Sequence, residues 1–432
     1  MPPTRTTPNP PPPAGRGETR ASAPGAGRKP APPPRWVWMA AWPVTAVFVL
    51  SNAPTPLYVR WQQEIGFSKG TLTVIFACYI LGLLVSLLVS GVVSDRLGRK
   101  PVLLPALGLA LAACLLFATA HSVPALLLAR LFTGLAVGAA VSAGMAAVTD
   151  VAAAVDAAEG TQGARSRLGA LLASCAMVLG AGLGPLLSGV LAEILSAPIV
   201  PVFTVEAAAL ALAVLAVLRM PLARPTGPVR GAWLRPPRVP RRNRTELALG
   251  IAVFGPGITA TSFVLSLGPS LLSGLLHSDN KALAGGMAFV MFLIATAAQF
   301  AVRRLRTHAV LLAGAASTLA GTAALIWAVH ASSITALVLA AALAGAGQGM
   351  GQLGGLSLLN SSVPRAHLAE ANAALNVGGY LPAGTLPVAA GYLSDATGLT
   401  TGATTFAAVL AALALSGGLL VLGHRARAGK RP

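Results

Sequence analysis

Twelve apolar stretches, each close to the length that crosses a bilayer, constrain this chain more than any other feature. A helix through the hydrocarbon layer needs about 20 apolar residues. The stretches run over about 36–58, 70–93, 101–120, 123–148, 166–194, 199–219, 247–274, 283–302, 309–329, 333–358, 367–392 and 401–423. Of the 432 residues 55% are hydrophobic and only 10% charged, against about 25% charged in a typical soluble domain. The fold class expected is therefore an all-α membrane protein with twelve transmembrane helices. Residues 1–35 are rich in Pro, Ala and Arg and lack an apolar core. They are expected to form a disordered tail and not a cleaved leader.

The net charge of +19 is a topology signal before it is anything else. Placed on the twelve-span frame, 27 of the 31 Lys and Arg fall on one side. They occupy the 1–35 tail, the 94–100 and 149–167 loops, the 219–246 linker, the 303–308 loop, Arg365 and the C-terminal tail. Only Arg60, Lys69 and Lys281 fall opposite, and Arg130 lies within a span. The excess of Lys and Arg marks the cytoplasmic side, so both termini are expected there, in a multi-pass protein of the plasma membrane. Binding to anionic lipid headgroups follows from the same charge. Nucleic acid does not, because the charge is distributed by topology and forms no separate basic domain.

The segment 220–246 is rich in Pro and Arg and divides the spans six and six. The chain thus reads as an N-terminal six-helix bundle (36–219), a basic cytoplasmic linker, a C-terminal six-helix bundle (247–423) and a basic tail (424–432). A weak internal repeat supports the division. Span five carries Pro185 four residues before Gly189-Val-Leu, and span eleven carries Pro387 four residues before Gly391-Tyr-Leu. These spans hold equivalent positions in the two halves, the relation expected of parallel transporter repeats. The basic loop after span two is echoed after span eight by Arg303, Arg304 and Arg306, in charge alone.

Between spans two and three stands Gly91-Val-Val-Ser-Asp95-Arg96-Leu-Gly98-Arg99-Lys100. Four charges this close to hydrocarbon need partners or headgroups. Gly91 lets another helix approach closely, and Gly98 permits a tight turn. This string resembles the loop signature of the major facilitator superfamily, Gly-x-x-x-Asp-Arg/Lys-x-Gly-Arg-Arg/Lys, at every specified position. Span four is similar to the superfamily pattern in which an intramembrane basic residue, here Arg130, precedes a glycine-rich face, here Gly134 and Gly138. Span five, with Gly180, Gly184-Pro185 and Gly189, resembles the motif of proton-driven antiporters that export drugs and metabolites. Ser188 stands where that motif has a glycine. Membrane helices are rich in Gly and Pro in any case, so packing alone also accounts for these residues.

The resemblance implies alternating access, in which two bundles rock about a site near the bilayer midplane. It implies a secondary transporter, working as a monomer on a small organic molecule. The proton gradient would be its energy source, with no other cofactor. Export is the preferred direction; import of a small metabolite is the runner-up, and a transport-inactive sensor the remote third. By family geometry spans one, four, seven and ten line the cavity, which offers Asn52, Arg130, Ser142, Thr259, Ser262, Ser266, Gln348 and Gln352. Asp95 and Arg99 are expected to latch the cytoplasmic side near Pro364 to Glu370, with Asp150 as a further partner. Arg130 and Glu206 lie inside spans of the same half. They are open to three readings: a structural pair, a proton- or substrate-responsive site, or side chains reaching for the surface. Span one has no Asp or Glu, which argues against a strongly cationic substrate.

Nothing in the chain favours an enzyme. The six histidines fall at predicted span ends with no metal-ligand spacing, and Cys78, Cys114 and Cys175 are isolated in apolar runs. There is no phosphate-binding loop. No catalytic residue and no metal site is therefore expected.

Overall fold

The computed structural model describes residues 33, 35–159, 164–220, 222, 239–364 and 367–428. Most of the expected 1–35 tail and of the 220–246 linker, Arg365, and residues 429–432 lie outside them. Among the described residues there are fourteen α-helices and no strand.

The helices group into twelve spans. Span one is α1 (Arg35–Asn52), a 3-10 turn at Thr55–Leu57 and α2 (Tyr58–Ile65). Spans two and three are α3 (Lys69–Leu97) and α4 (Lys100–Ala118). Span four is α5 (Val123–Ala139), a π turn (Ala140–Gly144) and α6 (Met145–Glu159). Spans five and six are α7 (Ala164–Ile194) and α8 (Ile199–Arg219). The second half continues with α9 (Arg244–Gly274), α10 (Lys281–Val302), α11 (Thr307–His330), α12 (Ile334–Ser362), α13 (Leu368–Thr397) and α14 (Leu399–Ala428). Eleven spans are long and apolar enough to cross a membrane among the described residues. The exception is α13, where Asn372, Asn376, Pro382, Pro387 and several glycines dilute the apolar content. That helix spends much of its surface on neighbouring helices instead of lipid.

Several expected boundaries move. Helix α3 runs on to Leu97, so the charged stretch after Gly91 is mostly helix and the turn shrinks to Gly98 and Arg99. Gly98 takes φ +93°, a left-handed conformation that other residues resist. Span four extends eleven residues beyond its expected end at 148, to Glu159, because apolar Val151, Ala152 and Val155 continue its buried face. Span one bends at Asn52, where Pro54 and Pro56 break the helix and a 3-10 turn bridges to α2.

Helices α1 to α8 pack on one another, as do α9 to α14, giving two bundles of six spans. The bundles share a packing rule that their sequences barely show. In the first, Gly134 and Gly138 of α5 press on the backbone of Tyr79 and Leu83 in α3. In the second, Gly345 and Gly349 of α12 press on the backbone of Met291 and Ala295 in α10. Each pair is a small-xxx-small step that brings helix backbones into contact. Span four on span two is thus repeated by span ten on span eight.

Candidate functional site

The side bearing the start of α1 and the end of α14 is called here the termini side, and the opposite one the far side. Between the bundles lies a cavity of ≈ 1040 Å³, counting its solvent-open part. Its walls reach from Asn52 and Leu265 at mid-span to Leu87, Gln299 and Asn376, in the termini-side halves of their helices. Toward the far side, α3 closes on α13 and α7 on α10. There Gly70 of α3 meets the Tyr392 ring, Gly391 of α13 meets Lys69 and Thr73, and Gly189 of α7 meets Lys281 and Gly285 of α10.

The wall chemistry is neutral. Asn52, Gln299, Gln348, Gln352 and Asn376 offer carboxamides, Thr261, Ser262 and Thr296 offer hydroxyls, and Phe48, Phe76, Tyr79, Phe292 and Tyr380 offer rings. No Lys, Arg, His, Asp or Glu lines the cavity among the described residues. The Gln348 Oε1 atom is buried with no hydrogen-bond partner, an acceptor left unspent by the fold.

Four of the eight polar residues expected from the sequence line this space: Asn52, Ser262, Gln348 and Gln352. The other four do not. Ser142 donates to the Gly138 carbonyl, Thr259 to that of Gly255 and Ser266 to that of Ser262. Each hydroxyl is satisfied on its own helix. Spans two, five, eight and eleven also contribute, which the restriction to spans one, four, seven and ten missed. Gln299 and Asn376, carboxamides inside expected spans, were the available signal.

Arg130 and Glu206 do not pair. Arg130 is fully buried, bonded through Nε to the Tyr58 hydroxyl and through a guanidinium NH to the Ser51 carbonyl at 2.6 Å. The rings of Tyr58, Phe76, Tyr79 and Phe117 surround it at 5.0–5.9 Å, a cation–π cage. Tyr58 is carried there by the bend in span one. Glu206 is 1% exposed on α8, and both its carboxyl oxygens lack a partner. Neither residue lines the cavity, and neither reaches the surface.

The Gly91–Lys100 stretch docks on its own bundle. Arg99 bonds to Asp95 at 2.9 Å, Asp150 at 3.0 Å and Ser94 at 2.8 Å, and Lys100 donates to the Leu218 carbonyl at 2.8 Å. Burial disfavours the Arg99 charge, but hydrogen bonds and attraction from Asp95 and Asp150 outweigh it and raise its pKa. Asp150 is the expected partner. Residues 365 and 366 lie outside the described ones; among the described residues, Pro364 and His367–Glu370 make no hydrogen bond to Asp95 or Arg99, whose bonds stay within the first bundle. Gly91 meets only Ser142, at the edge of contact.

The span-five motif divides in two. Gly180 and Gly184 face α1 of the same bundle, where a Cβ at Gly180 would stand 2.6 Å from the Thr45 carbonyl oxygen and one at Gly184 would clash with that of Val49. Gly189 faces the other bundle, with a Cβ there 2.5 Å from the Lys281 carbonyl oxygen. Pro185 also serves the second contact, since Gly285 of α10 packs on its carbonyl.

Two six-span bundles around a shared central cavity define the architecture of a multi-pass membrane transporter. A family profile described as Major Facilitator Superfamily matches residues 37–381, and the chain belongs to that family. Its fold is similar to that of the nucleoside transporter NupG (TM-score 0.68, 13% identity, covering 89% of this chain and 99% of that one). It is similar to a POT family transporter solved with a thioalcohol-conjugated peptide (0.70, 14%, 91% and 96%). It also resembles the human organic anion transporter MFSD10 (0.61, 20%, 90% and 100%). Among curated sequences, multidrug resistance protein MdtL of Klebsiella pneumoniae subsp. pneumoniae is 33% identical over 79 residues. That match covers 18% of this chain and 20% of MdtL. The family and the structural neighbours are transporters and not enzymes.

Proposed function

We propose that the chain is a proton-coupled exporter of small organic compounds that are uncharged at the binding site, working by alternating access as a monomer. The termini side is assigned to the cytoplasm of a plasma membrane, on the distribution of Lys and Arg. The observation that carries the reading is the central cavity, built from both bundles of one chain and bounded on the far side by helix contacts. Its carboxamides and rings suit a compound with hydrogen-bonding groups on an apolar frame. A charged guest would lose hydration against walls with no counter-charge, a cost of several kcal/mol. The short MdtL match and the span-five motif favour export. Glu206 is the proposed proton-responsive group, because an unpartnered intramembrane carboxyl is a functional candidate.

The test is flux into proteoliposomes of known orientation, comparing neutral compounds with charged analogues of similar size under an imposed pH gradient. Gradient-driven movement of the neutral series from the termini side to the far side is expected. Equal transport of the cationic analogues, or accumulation toward the termini side, would overturn the assignment.

A further inference from the structure

The internal repeat of spans five and eleven extends four residues beyond its glycine. Pro185-Leu-Leu-Ser-Gly189-Val-Leu-Ala-Glu193 ends one helix, and Pro387-Val-Ala-Ala-Gly391-Tyr-Leu-Ser-Asp395 runs near the end of the other. In each, an acid follows the glycine by one helical turn, which puts both on the same face. The glycine lets that face meet the opposite bundle, and the acid then lies beside the first turn of the helix it meets.

What each acid finds there is also matched. Ser68 caps α3 by accepting from the Thr71 N–H, and Asn280 caps α10 by accepting from the Leu283 N–H. A helix start leaves four backbone N–H groups without intrahelical partners, and these local caps use only the third. Of the earlier ones, both of α3 and the first of α10 go to the other bundle. Asp395 accepts from the Lys69 N–H at 2.9 Å and the Gly70 N–H at 2.8 Å. Glu193 accepts from the Lys281 N–H at 2.9 Å. A carboxylate at a helix N-terminus is favoured by the helix dipole as well as by the bonds.

We infer that Asp395 and Glu193 are a paired far-side latch, holding the bundles closed there by capping α3 and α10 across the interface, and that both caps break when the transporter opens outward. The inference rests on the alternating-access reading above, and it adds residues that this reading does not use. The two caps lie at opposite interfaces, one between α13 and α3 and one between α7 and α10. They bias the same two-state equilibrium from separate places, so their effects on the closed-to-open ratio multiply. Both acids are solvent-exposed, which keeps each effect modest. A helix-terminus charge contributes about 0.3–1 kcal/mol, equal to a roughly two- to fivefold change in ratio per cap.

The experiment uses the full chain in proteoliposomes, with Cys78, Cys114 and Cys175 replaced by alanine and spin labels at Gln63 and Asp279 on far-side surfaces of the two halves. Asp395→Asn and Glu193→Gln should each lower the far-side closed-to-open ratio by about two- to fivefold, and the double variant by about the product of the two. Glu64→Gln, which removes only an exposed ion pair with Arg60 inside α2, should leave the distances unchanged. An unshifted distribution in the double variant, or an equal shift in Glu64→Gln, would overturn the latch. If the double variant does not fold, Lys69→Cys with Asp395→Cys gives the answer independently. Oxidation should stop flux and reduction restore it, and undiminished flux through the cross-linked protein refutes the latch. The distance distributions are read without transport, so a chain that moves no compound but shifts its ratio as stated keeps the latch and loses the exporter.

Discussion

Adding one methyl group at Gly189 perturbs the equilibrium between conformers in a direction the structure fixes. A Cβ there stands 2.5 Å from the Lys281 carbonyl oxygen, where ordinary contact begins at 3.4 Å, a shortfall of about 0.9 Å. The obstacle is helix backbone, which no rotamer change can move aside. Overpacking of this size commonly costs about 1–3 kcal/mol. Because α7 and α10 belong to different bundles, rocking the far side open relieves the clash entirely. The whole penalty then falls on the closed state, a shift of about 5- to 150-fold in the closed-to-open ratio. Gly184 supplies the comparison. Its Cβ would clash with the Val49 carbonyl oxygen, but α1 and α7 sit in one bundle, so rocking offers no relief. Gly189→Ala is therefore expected to lengthen the Gln63–Asp279 label distance with little change in unfolding temperature. Gly184→Ala is expected to lower the unfolding temperature with the distance distribution unchanged. The reverse assignment, or equal effects from the two, would refute the argument that bundle membership decides how strain is expressed.

Three further outcomes follow from the site. Asp95→Asn removes one of the two carboxylates that hold Arg99 and should sharply reduce flux while leaving membrane insertion intact; wild-type flux at matched protein level would remove the loop from the gating account. Glu206→Gln should abolish the pH dependence of transport while exchange persists, read as flux against external pH in proteoliposomes, and an unaltered profile would give this carboxyl a purely structural role. Tyr58→Phe strands the Arg130 Nε donor in a closed site, at a cost of about 1–3 kcal/mol, so a lower unfolding temperature is expected, and an unchanged one would show that the ring cage alone holds the guanidinium.

Span number and bundle division were legible because hydrocarbon imposes a length and an apolarity that few other constraints imitate. Even so, α13 falls short of the apolarity of the other eleven spans, since a helix that serves two interfaces carries Gly, Pro and Asn in place of Leu. The Gly91–Lys100 string was legible as a unit because its charges and glycines are crowded into ten residues. The fate of Arg130 was not. Its partner is the hydroxyl of Tyr58, delivered by the bend at Pro54 and Pro56, and no periodicity foretells which side chain a bend delivers. Half of the carboxamide and hydroxyl residues that line the cavity escaped for a similar reason. Whether Ser142 or Gln299 faces the gap depends on helix rotation, and a serine satisfied by its own helix has the same letter as one that binds a guest.

The π turn at Ala140–Gly144 gives span four a second kind of specification. Above it, α5 lies against α3 and α4; below it, α6 lies against α1 and α7. Each α-helical residue advances the helix by about 100°, so a wider turn resets the phase at which α6 leaves. Removing a single residue from this stretch would swing Val148, Val151 and Val155, all buried on α6, about 100° from their seats. The span's residue count is thus set by an angle, and the thickness of the bilayer only bounds it.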